Sequence, residues 1–369
     1  MNWTDRSLLL VRKFSGWMAY LIVLFIVAEV MAGYALNVYR DTRLDLTDWG
    51  SISEDVYEEL SFVQENALPS VYRWYSLYPN FKGQHIITDN SGFRIDVDAI
   101  DGRKKVGMFG GSTTFSVLTD QRGTISEQAS SEKYQILNFG IGGYSTSAEI
   151  MTLVEAIRVY PDIKIAIFYD GVNELGTAKN TDEKGTDINS PESLMGHPFD
   201  AVMTWAFENA DPTDFSFRRS NLYYIYSRIN EIIKDGYSKE EPLRDDDFIN
   251  SIVKRYYANL KVIKGICDAH AIQCLFTWQP SIYTVPDDKL TPDERIKKNS
   301  SYAEQYYTKL TNAILASPMA NKFKVIDLTH SLDAKKSQIF ADWHHLNSKG
   351  NKLVAEALKG ILHRIPESN

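Results

Sequence analysis

Short apolar runs alternate with longer segments of helical spacing along the part of the chain that follows residue 100. The short runs are typical of buried strands, and the candidates are Val106–Phe109, Ile136–Phe139, Ile163–Tyr169, Ile272–Trp278 and Lys324–Leu328. Helical spacing of apolar residues predicts helices over 146–159, 245–269, 299–316 and 348–362. Such alternation predicts an α/β fold in which a parallel sheet is covered by helices on both faces. Ligands of these sheets bind beyond the carboxyl ends of the strands.

The N-terminal pattern is different, because residues 14–36 are apolar apart from a single charged residue, Glu29. A bilayer core requires about 20 apolar residues in a helix, so the pattern predicts one transmembrane signal-anchor over 14–36. Three basic residues precede this segment and two follow it closely, which favours a cytoplasmic N-terminus over residues 1–13. A cleaved signal peptide is the alternative, because the uninterrupted apolar run 17–28 has the length of a signal core.

The rest of the chain divides into a connecting region and a catalytic domain. Residues 37–100 are predicted to form a membrane-proximal stalk and a lead-in hairpin whose turn is Asn90-Ser91-Gly92. Residues 101–365 are predicted to form the catalytic domain, with an insertion over 178–244 that interrupts the strand-helix alternation. The insertion is rich in aromatic residues, which fits either a substrate-facing lobe or one more packed helical layer.

Composition narrows the possible functions. The net charge is −8 and no Lys/Arg-rich run is present, which argues against nucleic acid as a partner because no basic excess neutralises phosphates. The two cysteines, Cys267 and Cys274, are too few for a metal site of zinc-finger type. They are either two small buried residues or one disulfide, and a disulfide requires an oxidising compartment.

Four short blocks carry the candidate chemistry. They read Gly-Gly-Ser-Thr-Thr at 110–114, Asn-Phe-Gly-Ile-Gly-Gly at 138–143, Gly-Val-Asn-Glu at 171–174 and Asp-Trp-His-His-Leu-Asn at 342–347. Each of the first three directly follows a strand candidate, so they are expected to share one site at the sheet edge. Together the blocks supply a nucleophile, donors for an oxyanion and an acid-base pair, which are the parts of an acyl-transfer enzyme.

The blocks and their order resemble the SGNH/GDSL hydrolase family over residues 103–362. The resemblance implies a flavodoxin-like sheet, a Ser-His-Asp triad and an acyl-enzyme, with no cofactor and no metal. It implies the catalytic residues Ser112, His345 and Asp342, and an oxyanion hole formed by Ser112, Gly143 and Asn173. Gly140 and Gly142 are the alternatives to Gly143.

The chain departs from the family pattern at two places. The usual Gly-Asp-Ser has an Asp where Gly111 stands, and Glu174 replaces the usual Asp after the oxyanion-hole Asn. His344 competes with His345 for the role of the base, but the Asp-x-x-His spacing from Asp342 favours His345. We expect His344 to point elsewhere because adjacent side chains diverge.

The substrate is predicted from exported family members, whose lead-in before the nucleophile strand is similar to Asn90-Ser91-Gly92-Phe93-Arg94. This resemblance implies an esterase that removes O-acetyl groups from an extracytoplasmic glycan. The alternatives are an O-acetyltransferase for an envelope polysaccharide, a lysophospholipase or thioesterase, and a non-catalytic subunit with envelope protein partners. The predicted location is the bacterial inner membrane, with a single pass and a periplasmic catalytic domain.

Overall fold

The computed structural model describes residues 17, 20, 23–35, 54–70, 73, 75–176, 246–300, 304–335 and 337–366. The described residues up to 35 fall in one compact unit, and those from 54 onward fall in another. The predicted insertion over 178–244 lies outside the described residues, as does the connection over 37–53.

The N-terminal unit contains a helix over residues 23–35. Its apolar side chains are largely exposed, for example Val30 at 65% and Met31 at 62%. Among the described residues, none of the helices combines the length and the apolar character that crossing a membrane requires. The predicted span over 14–36 extends beyond the described residues at both ends, so it stays a prediction.

The larger unit is built on a five-stranded sheet in which all strands run parallel. Strands are numbered in chain order, and the short strands β1 Leu68–Pro69 and β2 Tyr75–Ser76 precede this sheet. The five strands of the sheet are β3 Lys104–Gly110, β4 Tyr134–Asn138, β5 Ile163–Asp170, β6 Gln273–Trp278 and β7 Ile326–Asp327. Their order across the sheet is β4-β3-β5-β6-β7, which is the flavodoxin-like order. The predicted parallel α/β sheet is therefore confirmed. In this order the chain changes direction between β3 and β5, where ligands bind in such folds.

Helices cover the sheet. They are α1 Glu54–Glu65, α2 Ser112–Phe115, α3 Ile125–Ala129, α4 Thr146–Val159, α5 Asp246–Ala269, α6 Pro292–Ser300, α7 Glu304–Ala316, α8 Pro318–Phe323 and α9 Ser348–His363. Three of the four predicted helices match α4, α5 and α9 within one residue. Of the predicted helix over 299–316, α7 covers 304–316, whereas α6 begins seven residues before the predicted start, at Pro292.

Each face of the sheet has its own hydrophobic core. Phe109, Phe168 and Phe276 lie side by side on one face, with ring centroids 5.0 and 5.5 Å apart. Met108 and Ile167, one residue earlier in their strands, belong to the core on the opposite face. This alternation follows from the two-residue period of a strand, and burial on both faces explains why the strands read as continuous apolar runs.

The region before the nucleophile strand packs into the first of these cores. Leu60, Leu77 and Phe93 are at most 5% exposed and belong to the cluster that contains Phe109. The predicted boundary at residue 100 therefore does not separate a stalk from the domain over the described residues 54–100. These residues are part of the same packed unit.

The lead-in over 84–96 is a tight turn without the predicted two-stranded hairpin. Asp89 accepts hydrogen bonds from the N–H groups of Ser91 and Phe93, and Gly92 has a φ of +77°. Beyond the turn, Arg94 pairs with Asn138 at the end of β4. The segment is thus bound both to itself, through the N–H of Asp89 that donates to the carbonyl of Phe93 at 2.9 Å, and to the sheet. A separate antiparallel pair is formed by β1 Leu68–Pro69 and β2 Tyr75–Ser76, and Lys82 and Ile87 form an isolated antiparallel bridge.

Of the two alternatives for the cysteines, the structure contains the disulfide. Cys267 near the end of α5 is bonded to Cys274 in β6, with their Cα atoms 6.3 Å apart. Cys267 is fully buried. The bond closes the connection between the longest described helix and the neighbouring strand.

Candidate active site

Ser112 begins α2 directly after the turn that ends β3. Gly110 has a φ of +154°, and a Cβ on it would lie 2.0 Å from Thr114 Oγ1, so the turn requires glycine here. Because Ser112 is the first residue of its helix, its N–H has no partner within the helix. The side chain of Asn138 fixes this helix by donating to the carbonyl of Thr114 at 2.9 Å.

His345 joins Ser112 to Asp342 through both of its ring nitrogens. Nε2 lies 2.8 Å from Ser112 Oγ, and Nδ1 lies 2.6 Å from Asp342 Oδ2. Asp342 Oδ1 also accepts the backbone N–H of His345 at 2.7 Å, which folds the loop so that both side chains face the serine. The structure therefore brings the three predicted catalytic residues together, although 233 positions separate Ser112 from His345.

The surroundings keep Asp342 ionised. Burial by itself would raise its pKa, but the hydrogen bond from His345 and the charges of the two imidazoles outweigh burial and hold the pKa well below its usual range. A carboxylate beside Nδ1 fixes the ring tautomer that leaves Nε2 ready to take a proton, and it stabilises the imidazolium that then forms.

His344 does not point away from the site as expected. Its ring centroid lies 3.9 Å from that of His345, and its Nδ1 lies 3.4 Å from Asp342 Oδ1. Burial first, and then the charge of His345, lower the pKa of His344 to about 3. His344 is therefore neutral at neutral pH. Among the described residues its Nδ1 has no hydrogen-bond partner, and the imidazole hydrogen-bonded to Ser112 Oγ is that of His345.

Potential ligand atoms of Asp342, His344 and His345 lie within 4.8 Å of one another, which makes them the candidate metal group among the described residues. Both nitrogens of His345 are already hydrogen-bonded to the serine and the aspartate. We therefore interpret the group as the acid-base pair with a neighbouring imidazole.

Asn173 lies over the nucleophile turn. Its Nδ2 donates to the backbone carbonyl of Tyr144 at 2.8 Å, which leaves the second N–H of the amide for another acceptor. A Cβ on Gly111 would lie 1.7 Å from this Nδ2. This close approach explains why glycine stands where the family has aspartate. Asn173 is the second residue of the helical stretch 172–176, so it is not a helix N-cap.

Gly143 is placed beside the same turn. Its φ of +75° is one that glycine adopts readily, and among the described residues its N–H makes no hydrogen bond. The loop is tied to the turn on one side by the N–H of Ile141, which donates to Gly110 O at 3.1 Å. Of the alternatives, Gly140 uses its N–H on Asn138 Oδ1 at 2.9 Å, so it is not available to an oxyanion.

Two supporting residues were not predicted. Arg94 is fully buried and donates to three backbone carbonyls after the nucleophile, Phe115 O and Ser116 O at 3.0 Å and Thr119 O at 2.7 Å. Burial lowers its pKa to about 9. Gln279, which follows β6, accepts a hydrogen bond from Thr113 at 2.8 Å. The sequence pattern at 90–94 identified the segment that contains Arg94, but it did not predict that Arg94 donates to these three carbonyls.

A buried polar cluster lies beneath Asn173. Glu174 accepts the N–H and hydroxyl of Thr146 at 2.7 and 2.9 Å, and its carboxylate lies 3.7 Å from Arg255. Burial, and then the charge of Glu174, raise the pKa of nearby Asp170 to about 8. Burial, and then the charge of Asp170, raise the pKa of Glu149 as well. Glu174, which replaces the usual Asp, thus accepts a hydrogen bond from the backbone N–H of Thr146 at the start of α4.

The comparisons with known proteins identify the family of this chain. The family model GDSL-like Lipase/Acylhydrolase matches residues 87–358, which is more than half of the chain. The chain therefore belongs to the GDSL-like lipase/acylhydrolase family, as the sequence predicted, and it is an SGNH-type hydrolase. No curated protein sequence gives a match to this chain.

Three similar solved structures illustrate the relationship. A member of the lipolytic protein G-D-S-L family from Veillonella parvula is 15% identical with a TM-score of 0.38, covering 71% of this chain and 99% of its own. A carbohydrate acetylesterase from Sinorhizobium meliloti is 11% identical with a TM-score of 0.37, covering 71% and 99%. A GDSL-like lipase from Bacteroides thetaiotaomicron is 11% identical with a TM-score of 0.35, covering 71% and 88%.

Proposed function

We propose that the protein is a serine esterase that removes acyl groups, O-acetyl groups foremost, from a glycan outside the cytoplasm. One observation carries the proposal. His345 links Ser112 Oγ at 2.8 Å to Asp342 Oδ2 at 2.6 Å, and an imidazole held in this way activates a hydroxyl as a nucleophile. The reaction uses only protein groups and water.

In the first half-reaction, Ser112 Oγ attacks the carbonyl carbon of the ester while His345 Nε2 takes the hydroxyl proton. The carbonyl oxygen becomes an oxyanion. When this tetrahedral intermediate collapses, the bond from the carbon to the sugar oxygen breaks. His345 then gives its proton to that oxygen, and the glycan leaves with a free hydroxyl.

In the second half-reaction, water takes the place of the glycan. His345 removes a proton from the water, whose oxygen attacks the acyl carbon on Ser112. Collapse breaks the bond to Oγ, the proton returns to the serine, and the carboxylic acid is released. Asp342 stays ionised throughout, as the direction of its pKa shift requires.

The oxyanion of both half-reactions is held by three donors: the N–H of Ser112, the N–H of Gly143 and the free N–H of the Asn173 amide. The first is at a helix N-terminus, which favours negative charge. Removing one such donor typically costs about 10²–10³ in kcat.

Two features support a location outside the cytoplasm. The Cys267–Cys274 disulfide is of a kind that persists in oxidising compartments. The apolar segment over 14–36 supports attachment to a membrane through one helix. The glycan substrate is supported by the lead-in segment at 90–94, which resembles that of exported family members. A C-terminal alkaline phosphatase fusion, which is active only outside the cytoplasm, tests the location.

The full chain in detergent should hydrolyse 4-nitrophenyl acetate, and Ser112→Ala and His345→Ala should both abolish turnover. His330→Ala is the matched control, since His330 also pairs with an aspartate three residues away, at 3.2 Å, but on the surface and without a serine. It should retain full activity. Turnover that survives in Ser112→Ala would refute the proposal.

A fluorophosphonate probe and acetylated glycans extend the test. The probe should label the wild-type chain and leave Ser112→Ala unlabelled, whereas a non-catalytic subunit would not react at all. Release of acetate from an acetylated glycan supports the esterase. Labelling with slow hydrolysis that a sugar acceptor accelerates would instead indicate O-acetyl transfer, which uses the same three residues. Preference for long acyl chains would indicate a lysophospholipase or thioesterase.

A further inference from the structure

Tyr75 in β2 contacts the loop that carries the proposed oxyanion donor. Its hydroxyl donates a hydrogen bond to the carbonyl oxygen of Gly142. The hydroxyl also lies 3.7 Å from the position that a Cβ on Gly143 would occupy. Tyr75 lies before residue 87, where the match to the family model begins. The contact therefore reaches the active site from outside the matched part of the chain.

The carbonyl of Gly142 and the N–H of Gly143 belong to one peptide group. The described peptide bonds are all trans, and in a planar trans peptide the carbonyl and the N–H point in opposite directions. A donor that fixes the carbonyl on one side therefore fixes the direction of the N–H on the other. Two glycines flank this peptide, so little else in the backbone itself restricts its rotation.

Tyr75 is itself held in place. The hydroxyl of Tyr144 donates to the backbone carbonyl of Tyr75, and the two rings meet edge to face with their centroids 5.3 Å apart. The backbone carbonyl of Tyr144 in turn accepts the Asn173 amide at 2.8 Å. The two tyrosines thus connect the peptide of Gly143 with Asn173, whose side chain is another of the proposed oxyanion donors.

We propose that Tyr75 is a positioning residue of the oxyanion hole, which it orients by holding the Gly142–Gly143 peptide so that its N–H faces the reacting carbonyl oxygen. The inference rests on the proposed esterase function and adds a residue to it. Hydrogen bonding at the carbonyl also polarises the peptide and strengthens its N–H as a donor. Burial raises the pKa of Tyr75 to about 12, so the hydroxyl keeps its proton over the working pH range.

The experiment compares Tyr75→Phe with the wild-type full chain on 4-nitrophenyl acetate. The variant keeps the ring and removes only the hydroxyl. Because one neutral hydrogen bond is lost, kcat should fall about threefold to tenfold, while KM stays the same because substrate binding is not touched. The rate of phosphonylation of Ser112 by the fluorophosphonate should fall by the same factor, since its phosphoryl oxygen occupies the same hole.

Tyr257→Phe is the matched control. The hydroxyl of Tyr257 also donates to a backbone carbonyl, that of Ile314 at 2.7 Å, and burial raises its pKa to about 12 as well. This bond joins α5 and α7, so the control should lose stability without losing kcat. Tyr144→Phe, which frees the backbone of Tyr75, serves as a second variant and should lower kcat in the same direction.

The outcomes separate this inference from the proposed function. Serine-dependent turnover that is equal in wild type and Tyr75→Phe would overturn the role of Tyr75 and leave the esterase standing. A loss that appears equally in Tyr257→Phe, or one confined to KM, would also overturn it. An inactive wild-type chain that the fluorophosphonate does not label would overturn both.

Discussion

Gly111→Ala is the most direct test of how the site is assembled. A methyl group at residue 111 would lie 1.7 Å from Asn173 Nδ2 and 3.0 Å from Tyr144 O. The amide would have to move by about 1.3 Å to reach even a 3.0 Å contact. A displacement of about 1 Å of a catalytic group can cost about a hundredfold in rate, so kcat should fall by about 10²–10³, as for loss of an oxyanion donor.

The assay is a double-mutant cycle on 4-nitrophenyl acetate with Gly111→Ala, Asn173→Ala and the double variant. If the methyl group acts by displacing the amide, removing that amide first should leave little for the methyl group to do. The double variant should then be only a fewfold slower than Asn173→Ala. For single losses of about a hundredfold and a double variant about threefold slower than Asn173→Ala, the coupling between the two sites is about 2 kcal/mol.

Thermal unfolding accompanies the kinetics, because overpacking typically costs about 1–3 kcal/mol of stability. Gly265→Ala is the control, since a Cβ on Gly265 meets nothing within 4 Å and the residue lies in α5. It should keep full activity and gain slightly in stability. Losses that multiply in the double variant, or a fully active Gly111→Ala, would show that Asn173 does not lie over the turn as an oxyanion donor.

Three further results are expected. Asp342→Asn should lower kcat by about 10⁴ because the neutral amide favours the wrong imidazole tautomer, and near-normal turnover would contradict the assigned role. Asp170, whose pKa burial and Glu174 raise from 3.8 to about 8, holds a proton in the folded state that the unfolded chain has lost. The contribution of Asp170 to the free energy of unfolding should therefore be full below pH 3.8 and fall as the pH rises towards 8, by up to about 1.4 kcal/mol per pH unit. Urea unfolding of Asp170→Asn should show a flatter profile over this range than the wild type, and an unchanged slope would refute this. Breaking the Cys267–Cys274 disulfide by reduction or by Cys267→Ala should cost about 2–3 kcal/mol from loop closure, and equal melting temperatures with and without reductant would argue against the bond.

The strands were predictable because a strand that is buried on both faces is a continuous run of apolar residues in the sequence. Ile163–Asp170, at the centre of the sheet, was predicted to within one residue. At the edge, β7 has only two residues, Ile326 and Asp327, where the apolar run had suggested five. As an edge strand it pairs with β6 alone. Only Ile326 and Asp327 are paired with β6 residues, so the apolar run over 324–328 is longer than the strand.

The helix α6 shows a different reason for a missed element. Its exposed surface is so polar that the apolar spacing does not stand out. A local signal was nevertheless present: Thr291 and Glu294 form a capping box, in which the Thr291 N–H donates to the Glu294 carboxylate at 2.9 Å and the Glu294 N–H donates to the Thr291 hydroxyl at 3.3 Å. Start signals of this kind do not depend on hydrophobic periodicity.

The parts of the site that motifs could not predict are the buried polar residues that hold each block in position. Arg94 binds the carbonyls that follow the nucleophile. Glu294 is fully buried, is paired with Lys335 at 2.6 Å, and accepts the N–H of Phe340 at 3.1 Å, two residues before Asp342.

A buried charge is stable only when its partners are present, and those partners lie far away in the sequence. Glu294 and Lys335 are 41 residues apart, and Tyr75 and Gly142 are 67 apart. In the sequence, each of these residues is one polar residue among many. Neither hydrophobic periodicity nor a sequence motif distinguishes it from a polar residue on the surface. The catalytic blocks are visible in sequence because their chemistry is local, whereas their alignment to within an ångström depends on long-range contacts that only the folded chain forms.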